Sequence, residues 1–476
     1  MNLALASMCV PLVVALGLMF NRHQGGRWVI MSSLISLTCA ALALQEVQET
    51  GRQYLMLGGW ESPLGIRFEL GPLNALLLCF TALVHLLVAL YAQGSRNAST
   101  RDSDLWPLAS LLHASLAALW MARDLFNWYV ALELLGLVAV GLIILSGPKS
   151  HAPALRYLLL SLAGSLCYLL GVALLYGRYG VLDINALGAI TVADATTRAA
   201  LLLISVGLML KGALWPLHLW LPAAHASAPT SVSALLSALV VKGPLFILWL
   251  IWVRVAPPEF GQQIGVLFAV AGVAALLAGG WSALRTPYLK TLVAFSTVAQ
   301  LGYALLALGL LLHWQRTDLS AALWLFVIAH GLAKVSMFLA AGEMQATLGS
   351  KRVDVLKGAS QTMPVAMFAF AVAGGSLIGL PPSGGFVAKW VLLQPLLENP
   401  AHWHWALAVL LGTLASAAYV FRVVALSFNR ADPLPQRFNP DPFAQWLALI
   451  PALLVWGLAL ISEPLILWLT EVAEHV

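Results

Sequence analysis

The sequence predicts an all-α, polytopic membrane protein with about 14 transmembrane helices. The first reason is composition, since 61% of the 476 residues are hydrophobic, only 9% are charged and the mean hydropathy is +0.88. A soluble domain has about 25% charged residues. The second reason is pattern, because apolar runs of about 20 residues, the length that crosses a bilayer as a helix, recur along the whole chain.

The apolar runs place the helices in chain order. The predicted spans are 2–20, 29–44, 72–91, 106–121, 125–145, 154–176, 199–219, 231–253, 264–281, 291–312, 320–344, 364–393, 405–428 and 443–469. The first run has no basic residue before it, and Arg22, His23 and Arg27 follow it. A cleaved signal peptide carries its positive charge first, so this segment is predicted to be a retained helix.

Basic residues between the spans predict the orientation in the membrane. Loops that follow odd-numbered spans hold twice as many Lys and Arg residues as the other loops, which predicts that they are cytoplasmic. Both termini are therefore expected on the non-cytoplasmic side of a bacterial inner membrane. The same scatter of basic residues accounts for the net charge of +5 and argues against nucleic acid as a partner.

Four lysines are not in loops. Lys211, Lys242, Lys334 and Lys389 lie well inside predicted spans. A lysine at the bilayer centre costs about 2.5–3.5 kcal/mol on insertion scales, so such residues face protein or water and mark ion pathways. The sequence therefore predicts a polar path through the middle of the membrane.

Glu133 is the clear acidic residue inside a span. It lies near the middle of the fifth span, roughly 12–15 Å from either end, which is too far for its short side chain to reach water. It needs a cationic partner or a proton. One interpretation is a static pair with a lysine that holds two helices together. That alternative leaves the other lysines unexplained.

Histidines accompany two of these lysines. His330 and Lys334 are four residues apart in the eleventh span, hence on one helical face. Histidine titrates near neutral pH, so the pair is interpreted as a proton relay. His218 and His225 lie near the inner end of the seventh span, where they mark a possible cytoplasmic entry, although solvation at the membrane interface explains them equally well.

Proline and glycine predict interrupted helices beside the lysines. The predicted breaks are at Pro216 and Pro244 near the first two lysines, and at Pro381, Pro382 and Gly384 in the twelfth span. Broken helices at membrane depth occur where they line a cavity or are buried in protein. Broken spans 7 and 12 predict two inverted five-helix repeats, a known transporter plan. The predicted units are residues 1–95, 96–256, 257–432 and 433–476.

The sequence predicts neither a cofactor nor a metal site. The four cysteines stand alone in apolar runs, and no spacing of Cys or His residues is typical of metal ligands. There is no glycine-rich nucleotide loop. Whether the chain belongs to an enzyme is open, because any redox or hydrolytic chemistry would have to be in a partner subunit.

Several stretches together resemble the antiporter-like subunits of respiratory complex I, Mrp-type cation/proton antiporters and energy-converting hydrogenases. The matching stretches are DLFNWYVALELL from Asp124, KGALWPLHLWLP from Lys211, APTSVSALLSALVVKGP from Ala228, LKTLVAFSTVAQLGY from Leu289, and the segments 330–343 and 379–389. The resemblance covers spans five to twelve. It implies 14 helices, two inverted repeats and a horizontal chain of charged residues across the bilayer centre.

The resemblance also implies roles for individual residues. Glu133 and Lys211 are similar to a paired glutamate and lysine, Lys242 to a bridging lysine, His330 and Lys334 to a relay, and Lys389 to the terminal group. The chain stops at Val476, a few residues past the last predicted span, so it is expected to resemble the shorter members of the family, such as the Mrp D subunit or the N-type and M-type complex I subunits. Lys389 stands where some members have a glutamate, which argues against the M type. Gln300 stands where some members have histidine, which puts a relay role of the tenth span in doubt.

The expected function is proton translocation within a multi-subunit complex, with sodium/proton antiport as a variant of it. Two alternatives stay open at this point. One is an ion-coupled module that drives another activity, such as inorganic-carbon uptake or a redox enzyme. The other is a solute symporter that binds its substrate at the breaks near Pro216 and Pro381.

Overall fold

The computed structural model describes residues 1–57, 59, 65–95, 103–429 and 438–474. Within these residues, 11 helices are long and apolar enough to cross a membrane, and two apolar helices, Leu105–Met121 and Pro364–Ile378, are shorter. The predicted all-α, polytopic class is confirmed. The short helices and the interrupted seventh span account for the remaining predicted spans.

The first part of the chain forms six long helices and one hairpin. The elements are α1 (Asn2–Phe20), α2 (Gly25–Thr50), β1 (Gln53–Leu57), β2 (Ile66–Leu70), α3 (Pro72–Gly94), α4 (Leu105–Met121), α5 (Leu125–Ile144) and α6 (His151–Tyr179). The strands pair antiparallel, and no strand was predicted. Within this region, Glu69 on β2 is buried and pairs with Arg52 and Arg123, at 3.3 and 3.2 Å, which attaches the hairpin to the connection between α4 and α5.

The remaining helices contain the predicted polar path. They are α7 (Ile184–Ile190), α8 (Ala195–Lys211), α9 (Leu221–Ser227), α10 (Thr230–Leu235), α11 (Lys242–Leu250), α12 (Pro258–Arg285), α13 (Leu289–Trp314), α14 (Leu319–Leu348), α15 (Ala359–Thr362), α16 (Pro364–Ile378), α17 (Gly384–Glu398), α18 (Trp403–Phe428), α19 (Pro442–Gly457) and α20 (Ser462–Glu474). The predicted inverted repeats and the four units stay predictions.

The seventh span is interrupted directly after Lys211. Helix α8 ends there, residues 212–220 are not helical, and α9 resumes at Leu221. Pro216 lies within the interruption. The indole N–H of Trp220 donates to the carbonyl oxygen of Leu210 at 2.8 Å, which satisfies one of the carbonyls left free at the helix end.

The eighth span is distorted but not broken, which corrects the prediction for Pro244. The segment Thr230–Val255 is continuous, with α10 and α11 joined through a π-helical turn, Leu236–Val240. Pro244 lies inside α11. Wider π turns are a known way for a membrane helix to accommodate a missing N–H, so the helix continues past the proline.

The twelfth span is divided into α16 and α17. Helix α16 ends before Gly379, whose φ of +91° is in the region that favours glycine, and Pro381 and Pro382 lie in the interruption. Gly384 was predicted to be part of the break, but it is the first residue of α17. Ser383 caps α17, because its hydroxyl accepts the N–H of Phe386 at 3.2 Å.

The most deeply buried helices carry the charged residues. All of the apolar window of α14 and of the Thr230–Val255 span is buried inside the protein, and α13 is nearly so. Helices α1, α2, α6 and α18 expose most of their apolar windows. The central lysines therefore face protein and not lipid.

Close glycine contacts set the distance between α12 and α13. A Cβ atom at Gly272 would lie 2.6 Å from both the carbonyl oxygen of Gly302 and the backbone nitrogen of Leu306. We expect Gly272→Ala to destabilise the protein by about 1–3 kcal/mol through overpacking, seen as a lower melting temperature in detergent. Gly177→Ala is the matched control, since nothing lies within 4 Å of its Cβ position. Equal melting temperatures of the two variants would contradict this packing.

Candidate functional site

Glu133 and Lys211 form an ion pair between α5 and the broken seventh span. The ammonium nitrogen of Lys211 lies 2.8 Å from the carboxylate of Glu133. The Lys211 side chain is 4% exposed and the Glu133 side chain 22% exposed. The partner that the sequence required for Glu133 is therefore the lysine at the end of α8.

Two serines of α6 complete this pair. The hydroxyl of Ser165 donates to the same carboxylate oxygen of Glu133, and the ammonium of Lys211 donates to the hydroxyl of Ser161 at 3.2 Å. Both charges thus have hydrogen-bond partners besides each other. These serines were not predicted, because serine is also common as a small packing residue in membrane helices.

A small cavity lies between Lys211 and the eighth span. It has a volume of about 10 Å³ and is lined by Lys211, Ser161, Tyr157, Val240 and Pro244, among others. That is room for about one water molecule. The cavity reaches the helix that carries Lys242, so it provides a polar position between the first lysine and the second.

Lys242 and His330 are in direct contact across the centre of the protein. The ammonium nitrogen of Lys242 lies 2.6 Å from Nδ1 of His330, and both side chains are at most 1% exposed. A protonated lysine can donate to an unprotonated ring nitrogen, and a protonated ring can donate to a neutral amine. The contact therefore allows a proton to reside on either residue.

Lys334 lies one helical turn further along α14. Its ammonium donates to the carbonyl oxygen of Val293 at 3.0 Å and to the hydroxyl of Ser296, both on α13. The side chain is fully buried. Among the described residues it has no carboxylate partner, so only neutral oxygens solvate its charge.

Lys389 binds to the helix end at the break of the twelfth span. Its ammonium donates to the carbonyl oxygens of Leu377 and Ile378, at 2.7 and 3.1 Å, and lies 4.1 Å from the ring centroid of Tyr303. These carbonyls end α16 and have no intrahelical partner. The helix end also carries partial negative charge, so the interruption is a site for a cation.

Gln300 connects the centre to Lys389. Its amide nitrogen lies 3.2 Å from the Leu377 carbonyl oxygen, 2.9 Å from the Ser416 hydroxyl and 3.2 Å from the Tyr419 hydroxyl. Tyr419 is also close to Ser296, which contacts Lys334. A neutral amide cannot carry charge, but this one lies among the polar groups that separate Lys334 from Lys389.

The two candidate entry histidines differ in position. His225 is fully buried on α9, stacks on Phe338 at 4.8 Å, and lies within electrostatic range of Lys290 and Lys334. His218 lies in the non-helical segment after α8 and is partly exposed. His225 is thus electrostatically coupled to these lysines, but its ring nitrogens make no hydrogen bond to them among the described residues.

Lys290 was assigned to a loop from the sequence, and this is wrong. It is the second residue of α13, its side chain is 6% exposed, and its ammonium donates to the carbonyl oxygen of Ala228 at 2.5 Å. The residue lies so near a span end that the apolar pattern could not separate the two positions. No cluster of metal-ligating side chains occurs among the described residues.

We call the following set the buried charge line. It consists of Glu133, Lys211, Lys242, His330, Lys334 and Lys389. Glu133 contacts Lys211 and Lys242 contacts His330, and His330 and Lys334 share one face of α14. The cavity of about one water lies between Lys211 and the helix of Lys242. Hydroxyls, the Gln300 amide and backbone carbonyls lie between Lys334 and Lys389. The arrangement can hold several protons in a membrane interior and can pass them between neighbours.

Comparison with known families decides where this chain belongs. The family model for the transmembrane region of NADH:quinone oxidoreductase and Mrp antiporters matches residues 122–416, well over half of the chain. The chain belongs to this family. The matched region includes all members of the buried charge line, and the resemblance inferred from the motifs is confirmed.

Individual family members match nearly the whole chain. The N subunit of NADH-quinone oxidoreductase of Desulforudis audaxviator is 33% identical over 437 residues, covering 90% of this chain and 85% of that protein. The D subunit of the Na⁺/H⁺ antiporter of Bacillus subtilis is 28% identical, covering 83% and 80%. Both kinds of relative predicted from the motifs, the N type and the D type, are therefore found.

Solved structures confirm the fold. A chain of the Mrp complex from Dietzia sp. superposes with a TM-score of 0.90 at 22% identity, covering 99% of this chain and 97% of that chain. A chain of respiratory complex I from Thermus thermophilus superposes with a TM-score of 0.86 at 22% identity, covering 99% and 98%. At this identity the likeness concerns the polytopic fold alone.

Proposed function

We propose that this chain is a proton-translocating membrane subunit in which protons move along the buried charge line. The observation that carries the proposal is the contact of Lys242 with His330 at 2.6 Å, fully buried and flanked by further lysines. Two titratable groups in hydrogen-bond contact can exchange a proton without any movement of the backbone. The family relatives named for proton or quinone chemistry support the same conclusion.

The ion pair of Glu133 and Lys211 acts as the switch at one end of the line. While they are in contact, the carboxylate stabilises the ammonium form of the lysine. When they separate, a buried ammonium without a carboxylate is disfavoured, and its proton moves toward Lys242 through the small cavity. Moving one charge across 100 mV costs about 2.3 kcal/mol, and a hydrogen bond to a charged group contributes about 1.5–3 kcal/mol. Making or breaking one such contact is therefore enough to direct a proton.

The remaining members transmit charge by mutual repulsion. Lys242, His330 and Lys334 are close enough to interact electrostatically. Protonation of one disfavours protonation of its neighbour, so the titration steps belong to the group and not to single residues. A proton that arrives at Lys242 thus promotes release from Lys334 toward Lys389.

The ends of the line require access to water on both sides. His225, which lies within electrostatic range of Lys290 and Lys334, is the proposed contact with the cytoplasmic side, and His218 has the weaker position. Lys389, at the interruption between α16 and α17, is the proposed exit. In this proposal the chain lies in a bacterial inner membrane, with both termini on the non-cytoplasmic side.

Partner subunits are part of the proposal. The solved relatives are chains of an Mrp complex and of respiratory complex I. Glu133 retains 22% exposure at the edge of the exposed face of α5, so a neighbouring subunit or lipid can contact the pair. We propose that this chain assembles with other membrane subunits and that the source of energy lies in the assembled complex.

The site fits protons better than an organic solute. The cavity beside Lys211 has room for about one water molecule. A symporter that binds its substrate beside this lysine would need a substrate-sized cavity there. Sodium is the proposed second transported ion, because one of the relatives is named as a subunit of a sodium/proton antiporter.

Reconstituted vesicles test the proposal. The native complex is purified through this chain, incorporated into liposomes that contain a pH-sensitive dye and a sodium-sensitive dye, and energised with a sodium or proton gradient or with its own substrate. We expect a change of internal pH that a protonophore abolishes. A sodium signal of opposite direction would identify antiport, whereas a membrane potential response with no pH change would rule out proton translocation.

Gln300 provides a graded prediction within this scheme. Replacing it by leucine removes three polar contacts between the centre and Lys389 but no titratable group. We expect Gln300→Leu to lower the rate of proton translocation roughly tenfold without abolishing it, since a water can replace part of the connection. Gln300→His should retain the wild-type rate or exceed it. A leucine variant with unchanged flux would show that protons do not pass this residue.

A further inference from the structure

A cavity of about 800 Å³ lies at the helix ends on the predicted cytoplasmic side, apart from the buried charge line. Its walls include the end of α5, the α9–α10 connection, the start of α13 and the end of α14. We call it the basic vestibule, defined by Lys149, Lys290, Lys351, Gln345 and Ser350. Lys290 also lies within electrostatic range of His225, the proposed cytoplasmic entry, so this space borders the proton path.

The lysines of the vestibule have no counter-charge in ion-pair contact within the part of the chain that the structure describes. Among the described residues, none of Lys149, Lys290 and Lys351 has a carboxylate within 4 Å, and Lys290 is repelled by Lys351. Lys290 is 6% exposed, so water screens its charge poorly. Lys149 and Lys351 are exposed cations, and an anion would also stabilise the ammonium form of the buried Lys290, so the lining favours an anion inside the cavity.

The vestibule also offers a hydrogen-bond donor. The hydroxyl of Ser350 accepts the N–H of Arg352 at 3.3 Å, which leaves its own hydrogen available for donation. The amide nitrogen of Gln345 has no hydrogen-bond partner among the residues that the structure describes, but it has almost no accessible surface and does not face the open space.

We propose that the basic vestibule binds a phosphate group, either free in solution or as part of an anionic lipid headgroup. A phosphate has the charge to neutralise more than one lysine and has further oxygen atoms that can accept from the hydroxyl of Ser350. The vestibule lies at the ends of the transmembrane helices, which is the level of lipid headgroups. The proposal does not depend on proton translocation.

Binding by matched variants tests the site. The native complex is placed in nanodiscs of zwitterionic lipid and titrated with radiolabelled inorganic phosphate. In parallel, nanodiscs that contain phosphatidylglycerol are analysed by native mass spectrometry for lipid that remains bound. The variant Lys149→Gln/Lys351→Gln changes two exposed residues of the vestibule and leaves Lys290 in place. Its control, Arg27→Gln/Lys357→Gln, removes two exposed charges on the same predicted side outside the vestibule.

Each lysine near a phosphate is expected to contribute roughly fivefold in affinity, so the double variant should bind about 25-fold more weakly while the control stays within about twofold. Phosphate binding that only the vestibule variant loses identifies a free anion. Retention of phosphatidylglycerol that only this variant loses identifies a headgroup. Binding of neither probe to the wild type, or equal loss in variant and control, overturns the proposal.

Discussion

Replacing Lys211 by methionine is expected to abolish proton translocation, lowering the flux roughly 100-fold or more, to that of protein-free liposomes. Lys211 is the only member of the line that contacts Glu133 in the described structure, so its loss removes both the switch and the first proton carrier. Glu133 is partly exposed and keeps its hydrogen bond from Ser165, so we expect normal insertion. Flux is measured with a pH-sensitive dye, and insertion by assembly with the partner subunits.

A double variant separates this role from a static pair. If the pair only held helices together, replacing both charges by neutral residues of similar volume would leave function intact, since buried pairs are often replaceable in this way. We therefore expect Glu133→Gln/Lys211→Met to assemble normally and to remain inactive. Arg178→Gln, which breaks an exposed pair with Asp194 between the ends of α6 and α8, is the matched control. Wild-type flux in the double variant would establish the static alternative.

Replacing His330 by leucine is expected to interrupt the line at its centre. The change removes the ring nitrogen that lies 2.6 Å from Lys242. Both side chains are buried, so bulk water does not take its place. We expect a loss of flux of roughly 100-fold or more. His313→Leu, at the exposed end of α13, is the control and should retain flux.

Glutamine at position 330 separates hydrogen bonding from titration. Its amide oxygen can accept from the ammonium of Lys242, so the buried lysine stays solvated, but the amide cannot take up a proton. We expect His330→Gln to be as stable as the wild type and as inactive as the leucine variant. Substantial flux in His330→Gln would show that the histidine is not a proton carrier.

The positions of the buried charges could be predicted from the sequence, but most of their partners could not. Lys211, Lys242, Lys334 and Lys389 stand out because a charge within an apolar run is costly, and Glu133 stands out for the same reason. The groups that solvate them are Ser161, Ser165, Ser296, the ring of Tyr303 and the carbonyl oxygens of the α16 end. Serine, tyrosine and backbone groups occur throughout membrane helices and give no signal of their own.

The predictions from sequence that were wrong, for Pro244 and Lys290, have local structural causes. A proline lacks a backbone N–H and therefore predicts a break in a helix. This prediction holds at Pro216, where the chain leaves the helix, but not at Pro244, where a π turn precedes the proline and the helix continues. Whether a π turn forms depends on packing against neighbouring helices, which no local pattern encodes. Lys290 lies one residue from a helix start, so hydropathy could not distinguish a loop position from a buried one.

The central claim is that protons pass the buried side chains in series. Its most direct test is one set of flux measurements on the native complex in liposomes, with each of Glu133, Lys211, Lys242, His330, Lys334 and Lys389 neutralised singly. Lys357→Gln and Gly177→Ala serve as controls. A series path predicts that every variant of the line falls to the flux of protein-free liposomes while the controls retain the wild-type rate. Wild-type flux in an assembled variant of Lys242 or Lys334, the two buried lysines at the centre, would contradict it.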